Sequence, residues 1–417
     1  MTRAIFPVVF TICLAILSPT ASAAERRDLE NSKESTQKID SIATVNDLIR
    51  VTGRVIYDPR TGETRYVEDT SKPSAGSRGG NTDSGESPEE TVEILPFDLF
   101  FADDDGTSTL NSYFLSQLSM GVYGKADTEE GFRDEMIALF EPQGIKSWNI
   151  HVKMDHDSGS EVAVFDIGDA TVIAFRGTSG EGTTNPGVDQ EVDLLDVPLK
   201  LKLNEKECRI HQGFWDSTDA VYDWVFDQAL SAHISGQKIF LTGHSLGAAK
   251  ATVAAVRLHY EDGIPVQSLQ TFGSPKVGDK DFRSLCADIG TDGVKLAEVT
   301  QRFVVLGDPA TTFPEKEAIG FNLLGPIWVF YHHVGITHTI HPLNADSSTF
   351  EIWFDSGEIG FTPYPWQWAA FLTGKGDSEH MWYDDALLEE VVDDPTLIEF
   401  KDLIVEHASV VQLDPEP

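Results

Sequence analysis

Apolar and polar positions divide the 417-residue chain into segments of different texture. From Ile94 onward the apolar residues recur at the spacings of regular structure. Leu110 to Met120 and Glu129 to Phe140 carry them at helical intervals and predict two helices. Glu161 to Gly168 and Ala170 to Phe175 are short β-branched and aromatic runs and predict two strands. Asp216 to His233 predicts an amphipathic helix. The apolar run Gln237 to Thr242 predicts a strand, and the Ala-rich run Ala248 to Leu258 a helix. Further strands are expected at Ser268–Phe272, Arg302–Leu306, near Trp328 to His333 and at Thr349 to Phe354. A helix is expected from Asp279 to Ile289, with Asp279 as its N-cap. Two acidic helical stretches, around Leu387 and Leu397, close the chain. Strands alternating with helices predict an α/β fold with a parallel sheet covered on both faces. No internal repeat is present.

The first 93 residues lack this texture. Met1-Thr2-Arg3, the apolar run Ala4 to Leu17 and the small residues Ala21-Ser22-Ala23 have the form of a secretory signal peptide over 1–23. The apolar run is too short to span a bilayer, and no later segment is apolar enough to do so. Residues 24–93 are polar and expected to be largely disordered. Two alternating runs, Arg50 to Tyr57 and Thr64 to Val67, predict a small hairpin around Asp58-Pro59-Arg60-Thr61-Gly62-Glu63. Ser71 to Thr91 is rich in Ser, Gly, Pro and Glu and reads as a linker, because it offers too little apolar surface to order itself. The expected organisation is therefore a signal peptide (1–23), a polar N-terminal region (24–93), a catalytic domain (94–385) and an acidic helical extension (386–417).

Composition adds a compartment and excludes one class of partner. The formal net charge is −37, from 31 Lys and Arg against 68 Asp and Glu. Such a surface repels nucleic acid and anionic membranes. With the leader, it suits an exported soluble protein, extracellular or periplasmic. Beyond the leader only Cys208 and Cys286 remain, too few for a disulfide framework, and they are expected to be unpaired.

Gly243-His244-Ser245-Leu246-Gly247 fits the G-x-S-x-G turn, in which a serine is lifted above the end of a sheet between a strand and a helix. Small residues must flank such a serine, and the first amides of the following helix can face a developing negative charge. A serine nucleophile needs a base and an orienter for that base, and on this turn the chain order is Ser, acid, His. Asp308 follows an apolar strand and precedes Pro309; a plain turn aspartate is the alternative reading. Asp279 also follows a strand but reads better as a cap. The histidines after the serine are His332, His333, His338, His341, His380 and His407. His380 comes after all the strands, at the start of a helix, where the base is expected. The His332–His341 cluster does not have the spacing of a metal-ligand set, so no metal is expected. One oxyanion amide falls to Leu246, and the loop Arg176-Gly177-Thr178 at the end of an earlier strand offers the second at Thr178. The aromatic-rich stretch from Trp353 to Phe371 reads as core packing, with an acyl pocket or a lipid contact as the alternative.

Four segments, Val172 to Thr178, His211-Gln212-Gly213-Phe214, Gly243 to Gly247 and Thr271 to Asp279, occur in the order found in the class 3 (fungal-type) lipases, and the chain resembles that family over about residues 95 to 385. The resemblance implies an α/β-hydrolase fold and a secreted enzyme that cleaves carboxylic esters of lipids at a lipid–water interface without a cofactor. It implies Ser245, Asp308 and His380 as the triad, the last in the context His380-Met381-Trp382-Tyr383, and Thr178 with Leu246 as the oxyanion pair. Tyr331 to Gly335 resembles the family's structural strand before the catalytic histidine. The segment Ser179 to Arg209 corresponds to the lid. It lacks tryptophan and is acidic, and Asp193, Leu194 and Leu195 are its substrate-side candidates. This departure leaves phospholipase A1 or short-chain carboxylesterase activity as alternatives, and a non-catalytic lipid-binding protein as the reading from another class.

Overall fold

A computed structural model describes residues 94–104, 106–178, 198–290, 292–322, 325–343, 349–358, 360–364, 367, 379–398 and 400–411, together with three short strands ahead of them. Those three are β1 (Gln37–Lys38), β2 (Gly53–Asp58) and β3 (Glu63–Glu68), and β2 and β3 pair antiparallel as a hairpin. The expected leader, the expected Ser/Gly-rich linker and the segment holding Asp193, Leu194 and Leu195 lie outside the described residues.

The main body starts with helices α1 (Thr109–Gly121) and α2 (Glu129–Phe140). Each starts on a side-chain cap: Ser108 accepts from the Asn111 amide, and Thr128 from the Gly131 amide. Strands β4 (Ile150–Asp155), β5 (Ser160–Ile167) and β6 (Ala170–Phe175) then form an antiparallel meander. The pair β7 (Pro198–Leu203) and β8 (Lys206–His211) is a separate hairpin leading into α3 (Gln212–Ser235), which stops at Gly236 with φ 81°. Two crossovers follow, through β9 (Lys238–His244), α4 (Leu246–Val256), β10 (Ser268–Phe272), α5 (Lys280–Cys286) and β11 (Thr300–Val305). A second free hairpin, β12 (Lys316–Asn322) and β13 (Gly325–Phe330), precedes β14 (Ile336–Pro342) and β15 (Phe350–Trp353). Helices α6 (Tyr383–Asp393) and α7 (Lys401–Val411) complete the body.

The eight-stranded sheet has the order β15-β14-β11-β10-β9-β6-β5-β4. Its five central strands, β6, β9, β10, β11 and β14, run parallel, and both edges are antiparallel. Side-chain alternation divides the interior in two. Ala163, Phe165, Val172, Ala174 and Phe240 point to a core shared with α1, α2 and α6. Val162, Val164, Ile173, Phe175, Ile239 and Leu241 point to a core shared with α3, α4 and α5. This is the α/β-hydrolase arrangement, a mostly parallel sheet between helical layers.

Several expectations differ from the structure. The aromatic run near Trp328 belongs to the free hairpin, and the sheet position next to β11 is taken by the more polar β14, Ile336-Thr337-His338-Thr339-Ile340-His341-Pro342. Helix α6 crosses the expected 385/386 boundary. Leu387, Val391, Leu397, Phe400 and Ile404 are buried in the same core as α1, so the segment after 385 packs as part of the body. Trp353, Phe354 and Tyr364 are exposed rather than core, with Trp353 lying on the His341 ring at the sheet edge. Asp279 does cap α5, accepting from the Asp281 and Phe282 amides. Cys208 and Cys286 are both buried and free, and burial pushes the Cys208 thiol up to about 12.

His211 joins β8 to α3. It is 1% exposed, and its Nδ1 accepts from the Phe214 amide at 3.4 Å. Burial lowers its pKa from 6.5 to about 4. The unfolded chain therefore binds the extra proton first, so this contribution to stability is complete above about pH 6.5 and is lost as pH falls towards 4. Urea unfolding should show His211 costing about 2 kcal/mol between pH 7 and pH 5. His211→Asn, which keeps an acceptor at the cap, should show a smaller drop over that interval; equal drops in the two proteins would contradict this account.

Candidate active site

Ser245 stands between β9 and α4 with φ 58° and ψ −129°, a sparsely populated region for a residue with a side chain. Packing enforces this turn. A Cβ at Gly243 would lie 2.4 Å from the Gly247 carbonyl carbon, and one at Gly247 would lie 2.1 Å from the Phe175 carbonyl oxygen. The Ser245 amide donates to the Phe272 carbonyl at 2.9 Å, tying the turn to the neighbouring strand.

Gly247 also sets the position of the predicted oxyanion loop, because its contacts extend to Arg176 and to the Gly177 amide nitrogen. Thr178 is the next residue and is half-buried, while Leu246 is buried as the first residue of α4. The loop is held from below by a buried ion pair between Arg176 and Glu161, whose side chains are 4% and 6% exposed. The Arg176 guanidinium also donates to the Gly159 carbonyl at 2.9 Å. An ion pair this deep holds its geometry because removing one partner strands a charge.

Asp308 follows β11 and is fully buried. His380 Nδ1 lies 2.9 Å from both of its carboxylate oxygens. The Tyr383 hydroxyl donates to Oδ2 at 2.6 Å, and the Ala310 amide donates to Oδ1 at 2.9 Å. With the Nδ1 proton committed to the carboxylate, the lone pair of His380 resides on Nε2. Gly273 makes room for the pair: a Cβ there would lie 2.9 Å from Asp308 Oδ2 and 3.0 Å from His380 Cε1. Burial first, and then the Asp308 charge, hold the Tyr383 phenol well above its usual range, so it remains a donor.

His244 turns away from the serine and braces the imidazole from behind. Its Nε2 donates to the His380 carbonyl at 2.6 Å, and its Nδ1 accepts from the Tyr123 hydroxyl at 2.8 Å. The two imidazole rings are 4.3 Å apart between centroids. Burial, then the neighbouring His380 charge, keep His244 well below the usual imidazole range, so it stays neutral. Two of the other candidate bases are occupied elsewhere: His333 Nε2 donates to the Thr311 carbonyl, and His338 pairs with the Gln301 amide group. Asp308 and His380 are thus brought together beside Gly273, and Ser245 and Leu246 share the turn that abuts Arg176 and Gly177. Asp193, Leu194 and Leu195 are not among the described residues. Nor, among those residues, do three or more His, Cys, Asp and Glu side chains gather to hold a metal ion.

Residues 172–318 match the family model for class 3 lipases. The secreted mono- and diacylglycerol lipase A of Penicillium cyclopium is 30% identical over 240 residues, covering 54% of this chain and 66% of its own length. The family match places residues 172–318 in the class 3 lipase family. A Rhizomucor miehei lipase is 30% identical over 151 residues, 35% of this chain and 39% of that protein. A solved structure of Rhizomucor miehei triacylglyceride lipase aligns with a TM-score of 0.39 at 20% identity, over 58% of this chain and 83% of that one. The chain therefore spans just under two thirds of the Penicillium relative and less than half of the Rhizomucor one.

Several residues at this site were given no role by sequence reasoning. Tyr383 stands three residues after His380, a spacing visible in the sequence without its purpose. Gly273 follows a strand in Thr271-Phe272-Gly273-Ser274, a close-approach signal. Tyr123 and Glu161 carry no local signal. Tyr383→Phe removes one of the charge-assisted donors to a buried carboxylate, a loss of about 1.5–3 kcal/mol. Turnover of a soluble ester should fall by about tenfold to a hundredfold with KM nearly unchanged; unchanged turnover would show that the phenol plays no part in positioning Asp308.

Proposed function

We propose that this chain is an exported serine hydrolase that cleaves carboxylic esters of lipids through an acyl-enzyme. The two-oxygen contact of Asp308 with His380 Nδ1, beside Gly273 at the end of the sheet that carries Ser245, is the observation that supports this most strongly. In this reading His380 Nε2 takes the Ser245 hydroxyl proton as the oxygen attacks the ester carbonyl. Asp308 fixes the tautomer and stabilises the imidazolium that forms. The amides of Thr178 and Leu246 receive the oxyanion, one from the loop after β6 and one from the first turn of α4, where backbone amides have no partner within the helix. His380 then protonates the departing alcohol, and water repeats the sequence to release the acid.

The relatives support this substrate class, one of them being named for mono- and diacylglycerol. We take partial acylglycerols at a lipid–water interface as the substrate. The acidic composition of Ser179 to Arg209 favours polar or short-chain esters over emulsified triacylglycerol. Rates on tributyrin, diacylglycerol, phosphatidylcholine and long-chain triacylglycerol test this choice: fastest turnover of phosphatidylcholine at the sn-1 position would make the enzyme a phospholipase A1 instead. Among the described residues no helix is long and apolar enough to cross a membrane.

Ser245→Ala should reduce hydrolysis of p-nitrophenyl butyrate by at least about a thousandfold and abolish labelling by a fluorophosphonate probe. Retained hydrolysis would remove Ser245 from the mechanism. A parent protein that neither reacts with the probe nor hydrolyses any ester would support a non-catalytic lipid-binding role.

A further inference from the structure

The hairpin β12–β13 is left over once the sheet and the site are accounted for. It belongs to neither core, and its strands pair only with each other. Lys316 pairs with Phe330 and Ala318 with Trp328, so Lys316, Trp328 and Phe330 share one face. Ile319, Ile327, Trp328 and Phe330 are 43%, 42%, 45% and 51% exposed. Large apolar side chains gathered on a separate two-stranded ribbon differ from the scattered exposure of an ordinary surface. The Lys316 ammonium lies 5.2 Å from the Trp328 ring centre and 6.0 Å from that of Phe330.

We propose that this hairpin is the surface by which the protein docks on a neutral or zwitterionic lipid–water interface. Three observations select that occupant. First, an aromatic pair with a lysine ammonium beside its rings suits an interface, where rings enter the headgroup layer and an ammonium meets phosphate or water. Second, Lys316 to Phe330 contains one lysine and one glutamate and so has no net charge, in a chain of −37. This ribbon can approach a lipid surface that the rest of the molecule does not attract. Third, the hairpin is rooted at the candidate active site. It follows Asp308 through the turn Pro309–Thr312, and its base is closed by the Tyr331 amide donating to the Glu315 carbonyl at 3.1 Å. Lys276, three residues after Gly273, bonds through its amide to the Phe313 carbonyl and through Nζ to the Thr312 carbonyl, each at 2.9 Å. The inference rests on the proposed lipid-ester chemistry for its purpose, and names the part of the molecule that finds the interface.

The test compares the full chain with Trp328→Ser/Phe330→Ser in flotation with phosphatidylcholine vesicles containing diacylglycerol, alongside hydrolysis of soluble p-nitrophenyl butyrate. The vesicle-bound fraction of the double variant should fall by at least about tenfold, while soluble-ester turnover stays within about twofold. Parent vesicles enriched in phosphatidylserine should bind less. Equal flotation of parent and variant would overturn the proposal. So would a vesicle-free dimer of the parent that the substitutions split, since the ribbon would then be covered by a second copy. Should circular dichroism show the double variant unfolded, the single variants Ile319→Ser and Trp328→Lys, at exposed positions outside both cores, give the same comparison. Flotation without soluble-ester hydrolysis by the parent would count against the enzymatic reading while leaving the docking surface in place.

Discussion

The backbone at Ser245 is the constraint on which the site depends. A side-chain-bearing residue at φ 58° and ψ −129° costs on the order of 1–3 kcal/mol and persists only where its surroundings leave no alternative. Here Gly243 touches Gly247, Gly247 touches the end of β6, and the serine amide is held by Phe272 on β10. One turn therefore locks three strands and a helix at their functional end. The elbow serine and the loop carrying Thr178 keep a fixed relation because the glycine after the elbow leaves the loop no room to move inward. Tyr123 closes the remaining side, packed against Gly177 and bonded to His244.

The second half of the site depends on giving a fully buried carboxylate enough hydrogen-bond donors. Asp308 has no exposed surface, yet it receives the His380 ring N–H, the Tyr383 hydroxyl and the Ala310 amide. A buried carboxylate with several good donors is tolerable and rigid; one with none would neutralise itself. The pentapeptide contributes here too, since His244 bonds to the His380 backbone and its ring lies against the His380 ring. Strand and helix ends that look independent along the chain are thus joined through neutral His244, whose suppressed basicity prevents a second positive charge from forming beside the working imidazole.

Much of this was legible because its signals are local. Helix α2 begins at a threonine cap and ends where its apolar spacing ends, and the elbow is announced by five consecutive residues between a strand and a helix. Order after the serine left Asp308 beside a plain turn reading and His380 among six histidines, and the family resemblance singled out the pair. What stayed hidden depends on partners far along the chain. β14 is rich in threonine and histidine, yet sits inside the sheet because His338 meets Gln301 and Thr337 meets Arg302. Its polar groups satisfy one another across strands, and that pairing leaves no periodicity to read. β7, written Pro198-Leu199-Lys200-Leu201-Lys202-Leu203, alternates clearly, but its lysines resemble a surface loop until Leu203 is seen buried. Glu161 lies in an apolar strand, and only the fold reveals that its carboxylate holds Arg176 beneath the loop proposed to receive the oxyanion.

Charge and apolar surface divide the work at the lipid boundary. A net charge of −37 gives no attraction to a neutral bilayer, and its field fades over roughly 10 Å in physiological salt. Attachment must then come from apolar area presented close to the site, and the uncharged ribbon between Asp308 and β14 supplies it. On the proposed chemistry the same field acts on the product. Each ester cleaved at neutral pH leaves a carboxylate, so hydrolysis gives the interface the sign of the protein. Repulsion between the two grows with turnover, while the ribbon's apolar contact stays constant. A surface this acidic thus weakens the protein's hold on lipid that it has already processed, which a basic lipase surface would instead strengthen.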